Sequence, residues 1–311
     1  MTGFVTTAKG RQYQLPPLTG WELRWTSGTP CDSFTVRFAA DAETASQLQP
    51  AVRFQAVENG TVYFTGVVDE YEITLGASGL SAAISGRGMA ALLLDNEAGT
   101  VDYDNAQLED ILQAYVYPFG IELGEHVDFP TLRRFGVDSG DSCYAALYGF
   151  TRWAGDVMPR FDRLGRLVLL PDGGGRRWTL KDGAVLEAVF TDKRYGVISE
   201  VVVNDRSTGT QQTVKDEKFI AEGGCCRRVM SMYSRTAYRT AARTGEQMIE
   251  LSGMDRRVLE LRLSGLPEAM PGDIVDVTLT KMGITGRFVV AECEAALTGQ
   301  GLQHVLSLRT W

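Results

Sequence analysis

In the first hundred residues apolar and polar side chains alternate in short bursts, the period-two signature of half-buried strands. Phe34, Val36 and Phe38 share one face while Thr35 and Arg37 take the other. Val52, Phe54 and Ala56 repeat the pattern, Asn59-Gly60 supplies a two-residue hairpin turn in which both residues accept positive φ, and Val62 to Val68 returns. Tyr71, Ile73 and Leu75 lead through Gly76 to Gly79 into Leu80, Ala82 and Ile84. An antiparallel meander or barrel is predicted over residues 1–95.

From Asp104 the period becomes helical. Leu108, Ile111, Leu112 and Tyr115 fall at i, i+3, i+4 and i+7, Asp104 and Gln107 have capping-box spacing, and Pro118 ends the run. A second helix is predicted after Ser139 or Asp141, with Ala146, Leu147, Phe150 and Trp153 on one stripe and Gly155 as its stop. A hairpin follows through Leu164-Gly165, then a turn at Gly173 to Gly175. Residues 96–186 thus read as a compact α+β insert. Strand character resumes at Val197 to Asn204 and Val214 to Phe219, a helix is predicted over about 237–251, and Leu259–Leu263, Asp273–Leu279, Arg287–Glu294 and Gln303–Arg309 alternate again. Residues 187–311 are therefore expected to form a second barrel that includes a helical segment.

The two barrels share sequence. Val67–Arg87 aligns without a gap on Val289–Arg309, with identities at Val67/Val289, Val68/Val290, Glu70/Glu292, Glu72/Glu294, Leu75/Leu297, Gly79/Gly301, Leu80/Leu302, Ser85/Ser307 and Arg87/Arg309. Phe34–Phe38 corresponds loosely to Leu259–Leu263. A duplication is predicted. Gly79-Leu80 and Gly301-Leu302 then mark equivalent turns, and Glu70, Glu72, Glu292 and Glu294 equivalent polar faces that line a channel or an interface. A chain carrying one barrel twice presents six quasi-equivalent units in a ring of three, which matches a hexameric partner.

Composition removes several classes of function. With 311 residues, 44% hydrophobic and 23% charged, the chain is a globular protein of two or three domains. A net charge of −8, from 31 basic against 39 acidic residues, opposes a surface built to grip phosphates. DNA contact, if any, is expected to be passive. No signal peptide or membrane-spanning run is read. Five dispersed cysteines without a CxxC pair fit a reducing cytoplasm.

The stretch Ile84-Ser-Gly-Arg-Gly-Met-Ala-Ala-Leu-Leu-Leu-Asp-Asn-Glu-Ala98, followed by Leu108–Tyr115 and Tyr117-Pro-Phe-Gly-Ile121, resembles the baseplate hub family of contractile-tailed phages, in particular the late-control-D-like tail proteins of phages, prophages and phage-tail-like bacteriocins. Phe64–Asp69, Gly140–Gly155 and Arg287–Arg309 sit in the family's order. The resemblance implies a mainly β fold with two related antiparallel tail-tube-like β-barrels and a small inserted α+β domain. It also implies a homotrimeric symmetry adaptor joining a hexameric tail tube to a trimeric spike around a central channel. Its partners would be the tail tube protein, the spike protein, the tape-measure protein and other baseplate proteins, in a virion tail or tail-like particle assembled in the bacterial cytoplasm. A fused spike or lysozyme-like domain is not expected, and neither is a membrane anchor.

Candidate chemistry is sparse. Gly86-Arg-Gly88-Met-Ala-Ala91 matches a dinucleotide fingerprint but lacks a parallel βαβ setting, so the glycines are read as a sharp strand exit. His126 and His304 lie far apart, without the partners of a triad or a zinc site. Asp138-Ser-Gly-Asp141-Ser142 reads as helix capping rather than a calcium loop. Asp102 and Asp104 are a weak basis for a peptidoglycan-cleaving enzyme, the alternative from another class, alongside a hub of a related contractile secretion system. Cys225-Cys226 beside Arg227-Arg228 is either a reactive thiol pair or an ordinary connecting segment. Arg235, Arg239 and Arg243 form a basic helix stripe, for acidic partners or for solvent. No cofactor, metal or catalytic residue is expected.

Overall fold

The computed structural model describes residues 1–27, 31–77, 79–233 and 239–311. The chain opens with β1 (Thr2–Thr7), β2 (Gln12–Gln14), β3 (Leu18–Thr26), β4 (Ser33–Ala39), α1 (Ala42–Leu48), β5 (Ala51–Glu58), β6 (Thr61–Gly76) and β7 (Gly79–Gly88). The insert follows, with α2 (Ala91–Leu94), β8 (Val101–Ala106), α3 (Leu108–Tyr115), β9 (Leu123–His126), β10 (Leu132–Val137), α4 (Cys143–Gly155), β11 (Arg160–Phe161) and β12 (Leu167–Leu169). After it come β13 (Arg177–Lys181), β14 (Val185–Asp192), β15 (Glu200–Asp205), β16 (Thr210–Lys215), α5 (Glu217–Ala221), β17 (Arg227–Met232), α6 (Ala241–Gly253), β18 (Arg257–Leu263), β19 (Ile274–Leu279), β20 (Ile284–Thr298) and β21 (Gly301–Thr310). The fold is mainly β, with predominantly antiparallel pairing.

Thirteen strands belong to one sheet, ordered β14-β18-β21-β20-β3-β4-β7-β6-β5-β1-β2, with β19 and β13 branching from β20. The sheet is two copies of one six-strand module. The N-module runs β3-β4-β7-β6-β5-β1 and the C-module β14-β18-β21-β20-β19-β13. Their registers coincide along the central hairpin and its flanking strands, while β5 against β6 slips between Ala56 and Val57 where β19 against β20 runs on without a break. Val67 faces Arg87 and Val289 faces Arg309, each hairpin is interrupted at the same place (Val68/Glu70 and Val290/Glu292), and each resumes with Glu70 opposite Ser85 and Glu292 opposite Ser307. The outer pairs agree as well, since β3 against β4 slips between Leu18 and Gly20 as β14 against β18 slips between Val185 and Glu187. Such bulges bend a strand at a fixed point and raise its twist, so a shared bulge position gives the two modules the same curvature. The one reversal is at the end: β1 pairs antiparallel with β5, whereas β13 pairs parallel with β19.

The cores are filled by opposite distributions of bulk. Phe34 faces Gly86 and Phe54 faces Gly66 in the N-module, and the Phe34 and Phe54 rings stack at 4.1 Å. At the same positions the C-module sets Leu259 against Leu308 and Val275 against Phe288. A Cβ on Gly86 would overlap the Val67 carbonyl oxygen and lie 2.9 Å from the Phe34 ring, so the close backbone approach at the bulge requires the glycine first and the aromatic second. One hydrophobic cluster runs through both modules, from Val5 and Trp25 to Cys293 and Leu308.

Several expectations are corrected. The strand Arg177–Lys181 and the start of β14, assigned by their position before residue 187 to the insert, are strands of the large sheet. β15 and β16, expected as barrel strands, form a separate three-stranded sheet with β17, covered by α6 and packed on Ile198, Val201, Val203 and Met232. The apolar β15 needs a cover, and α6 supplies it. That helix begins at Ala241, capped by Thr240, rather than near 237. In the insert, α3 packs Ile111, Leu112 and Tyr115 against Leu147 and Phe150 of α4. Its capping box is Gln107 with Asp110, because Asp104 lies within β8. The left-handed stop of α4 is Asp156, one residue beyond Gly155.

Candidate functional site

The turn residues sit where the pattern put them. Asn59 and Gly60 have φ of 49° and 78° between paired Glu58 and Thr61, and Gly79 and Gly301 take φ of 109° and 98° at matching hairpin ends, ahead of Leu80 and Leu302. Arg87 and Arg309, equivalent in the repeat, each anchor one end of the insert. Arg87 donates to Asp69 (2.7 and 3.0 Å) at the β6 bulge and to Asp95 (2.9 and 2.6 Å) just past α2, and the four charge-assisted bonds hold its guanidinium firmly protonated. Arg309, almost fully buried, pairs with Asp172 where the chain leaves the insert.

One face of the large sheet is polar across eight strands. A continuous row runs Glu187, Arg262, Val305, Glu294, Arg24, Ser33 and Arg87 through successive pairings. The neighbouring row carries Ala296, Glu22, Thr35, Ser85 and Glu70. The other face holds the core, with Leu23, Phe34, Ile84, Leu261 and Cys293 buried. Acids outnumber bases on the polar face. Glu22, Glu70, Glu72, Glu187, Glu260, Glu292 and Glu294 stand against Arg24, Arg37, Arg87, Arg262 and the buried Arg309, of which Arg24 pairs with Glu292 at 2.5 Å and Arg262 with Glu187 at 3.2 Å. Burial, with Glu22 nearby, raises the Glu294 carboxyl above its ordinary range.

The remaining candidates scatter. Arg239 and Arg243, both exposed, place their guanidiniums 5.9 and 5.8 Å from the Trp153 ring of the insert, an intramolecular cation–π contact. Arg235 lies outside the described residues. The backbone of Cys226 exchanges hydrogen bonds with the Ser199 hydroxyl in the segment between α5 and β17, and Cys225 beside it is exposed. His304 is buried beside Cys293 at 3.8 Å, with its pKa lowered by burial to about 4, and His126 is exposed on β9. Among the described residues no group of three or more His, Cys, Asp or Glu side chains could hold a metal, and no helix is long and apolar enough to cross a membrane. Two features were missed by sequence reading: the pairing of β20 with β3, which joins the modules, and the strand edges left open elsewhere. The first sets Cys293 opposite Trp25 and Ala295 opposite Leu23.

No family model and no curated protein matches the chain. Solved structures do. The tail protein from Neisseria meningitidis MC58 superposes with a TM-score of 0.79 at 16% identity, covering 99% of this chain and 96% of that one. The architecture is a tail-protein fold. The 43 kDa tail protein of prophage MuSo2 from Shewanella oneidensis gives a TM-score of 0.79 at 18% identity, covering 100% and 98%. The E. coli c3393 protein, a component of the type VI secretion system similar to the T4 tail proteins gp27 and gp5, gives 0.58 at 11% identity, covering 94% of this chain and 73% of its own.

Proposed function

We propose that this chain is a non-enzymatic structural component of a phage tail or tail-like particle, the baseplate hub. Three copies present six modules in a ring that joins a hexameric tail tube to a trimeric spike. The observation that carries this reading is the repeat of the central hairpin in the same register with the same bulge, because two such modules in one chain let threefold assembly mimic sixfold symmetry. Residues 1–95, about 96–176 and about 177–311 serve as first tube-like unit, insert and second tube-like unit, the last carrying the β15–α6 excursion. The tail-protein architecture supports a place in the virion tail or a tail-like particle, with assembly in the bacterial cytoplasm.

The acid-rich face of the sheet lines the channel. Lacking lysine and carrying more glutamates than arginines, it gives DNA or a tape-measure protein passage without the multi-phosphate contacts that make binding strong. The outer surfaces and the insert meet the tube, spike and other baseplate proteins through the extensive interfaces of lasting assemblies. The likeness to the E. coli c3393 protein favours one second reading, a hub of a contractile secretion system. Electron microscopy of the particle tests the proposal. A ring of three copies between tube and spike, open at its centre, is the expected result, and a single copy or a peripheral position would refute it. Peptidoglycan cleavage by the pure protein would overturn the non-enzymatic assignment.

A further inference from the structure

The seam inside the chain is a template for a seam between chains. β20 is used along both of its halves on one edge: residues up to Val289 pair with β19, and beyond the bulge Glu292 to Leu297 pair antiparallel with β3. Its counterpart β6 pairs with β5 only up to Val67, and beyond the matching bulge the edge of Glu70 to Leu75 carries no strand among the described residues. β14, the counterpart of β3, likewise ends the sheet with one edge open. The chain therefore holds one copy of a two-part joint closed and both halves of a second copy open.

Exposure follows the same logic. On the core-facing phase of the closed joint, Ala295 and Leu23 are both 0% exposed, while their open counterparts Ile73 and Phe190 are 46% and 42% exposed. Leu75 at the end of β6 reaches 81% exposure. Unpaired strand edges with apolar residues turned toward a core are a liability unless another chain covers them.

We infer that β6 of one copy pairs antiparallel with β14 of the next in the register of the internal seam, with Glu72 opposite Thr191, Ile73 opposite Phe190, Thr74 opposite Val189 and Leu75 opposite Ala188. The occupant of each open edge is a second copy of this chain. The contact is head-to-tail, so it closes only as a ring. It extends the acidic row across the joint, since Glu70 and Glu72 continue the face that carries Glu22 and Glu294. This inference rests on the ring reading above and adds the residues that make the ring.

Cysteine cross-linking of the full chain tests it. Antiparallel neighbours have Cα separations within disulfide range. In a Cys225→Ser, Cys226→Ser background, Ile73→Cys with Phe190→Cys is expected to convert most chains under oxidation to a reductant-sensitive species of three chains. Either single substitution, and the out-of-phase pair Ile73→Cys with Val189→Cys, should leave monomer bands. A three-copy ring by native mass spectrometry that does not cross-link would overturn this seam and leave the hub reading standing. A protein that stays monomeric at high concentration and never cross-links would overturn both. Cross-linking of the out-of-phase pair as readily as the in-phase pair would overturn the register.

Discussion

The N-module and the C-module are the same scaffold completed in two ways. Pairing and bulge agree from Val67 to Arg87 and from Val289 to Arg309, yet β20 finds β3 within the chain while the edge of β6 beyond its bulge pairs with no strand among the described residues. Their cores are filled by different residues: Phe34 over Gly86 in one, Leu259 beside Leu308 in the other. The difference teaches that a duplicated module keeps what fixes backbone geometry, lets bulk migrate between facing strands, and keeps one joint internal while reserving the other for assembly.

The comparison breaks most sharply at the joints. Leu23→Ala removes a fully buried side chain from the closed seam and should destabilise the chain by about 2–5 kcal/mol. At the equivalent open position, Phe190→Ala should change the stability of the isolated chain by less than about 1 kcal/mol while weakening ring formation. Chemical denaturation beside light scattering separates the two effects, and equal losses at both sites would deny their equivalence. Next in size, Gly86→Ala should cost roughly 1–3 kcal/mol by overpacking the Phe34 ring and the neighbouring backbone. The double variant Gly86→Ala with Phe34→Leu, which imports the C-module solution, should recover part of that loss.

Acid–base behaviour sharpens the contrast. Burial raises the Asp32 carboxyl from its ordinary 3.8 to about 7, opposed by the Thr26 N–H that donates to it. The folded chain keeps this proton after the unfolded chain has lost it, so Asp32 withdraws stability as pH rises from about 4 to about 7. His304, held neutral by burial down to about 4 against an ordinary 6.5, withdraws stability as pH falls through that window. The two oppose each other over the shared range, at up to about 1.4 kcal/mol per pH unit each. Asp32→Asn should therefore unmask stability that rises from about pH 4 to pH 6.5, and His304→Gln stability that falls, in denaturation curves taken across that range. The smallest effect is at Arg87, where Arg87→Ala removes partly exposed ion pairs and should cost about 0.2–1 kcal/mol. It should also loosen the insert against the N-module, visible as increased proteolysis around Asp95.

Much of this was legible because turns and bulges impose residue types. Asn59-Gly60 and the glycines at 79 and 301 stand at positions of positive φ, which glycine supplies without strain, and so mark the hairpins in the sequence. The nine-identity match located the repeat for the same reason. Its outer strand β14 was hidden, because Leu186 and Phe190 are exposed and blur the alternation that marks a half-buried strand. β15 misled in the other direction, since a run of valines reads alike in a barrel and under a helix. The open edges could not be read at all, because an edge is defined by a neighbour that is far away in sequence or on another chain.

Amide hydrogen exchange on monomer and assembled ring tests the central claim most directly. The account predicts that amides of β3 and of Glu292–Leu297 are protected in both states, whereas amides of Glu70–Leu75 and Ala188–Asp192 become protected only on assembly. Protection that arises elsewhere while those two segments exchange freely in the ring would contradict it.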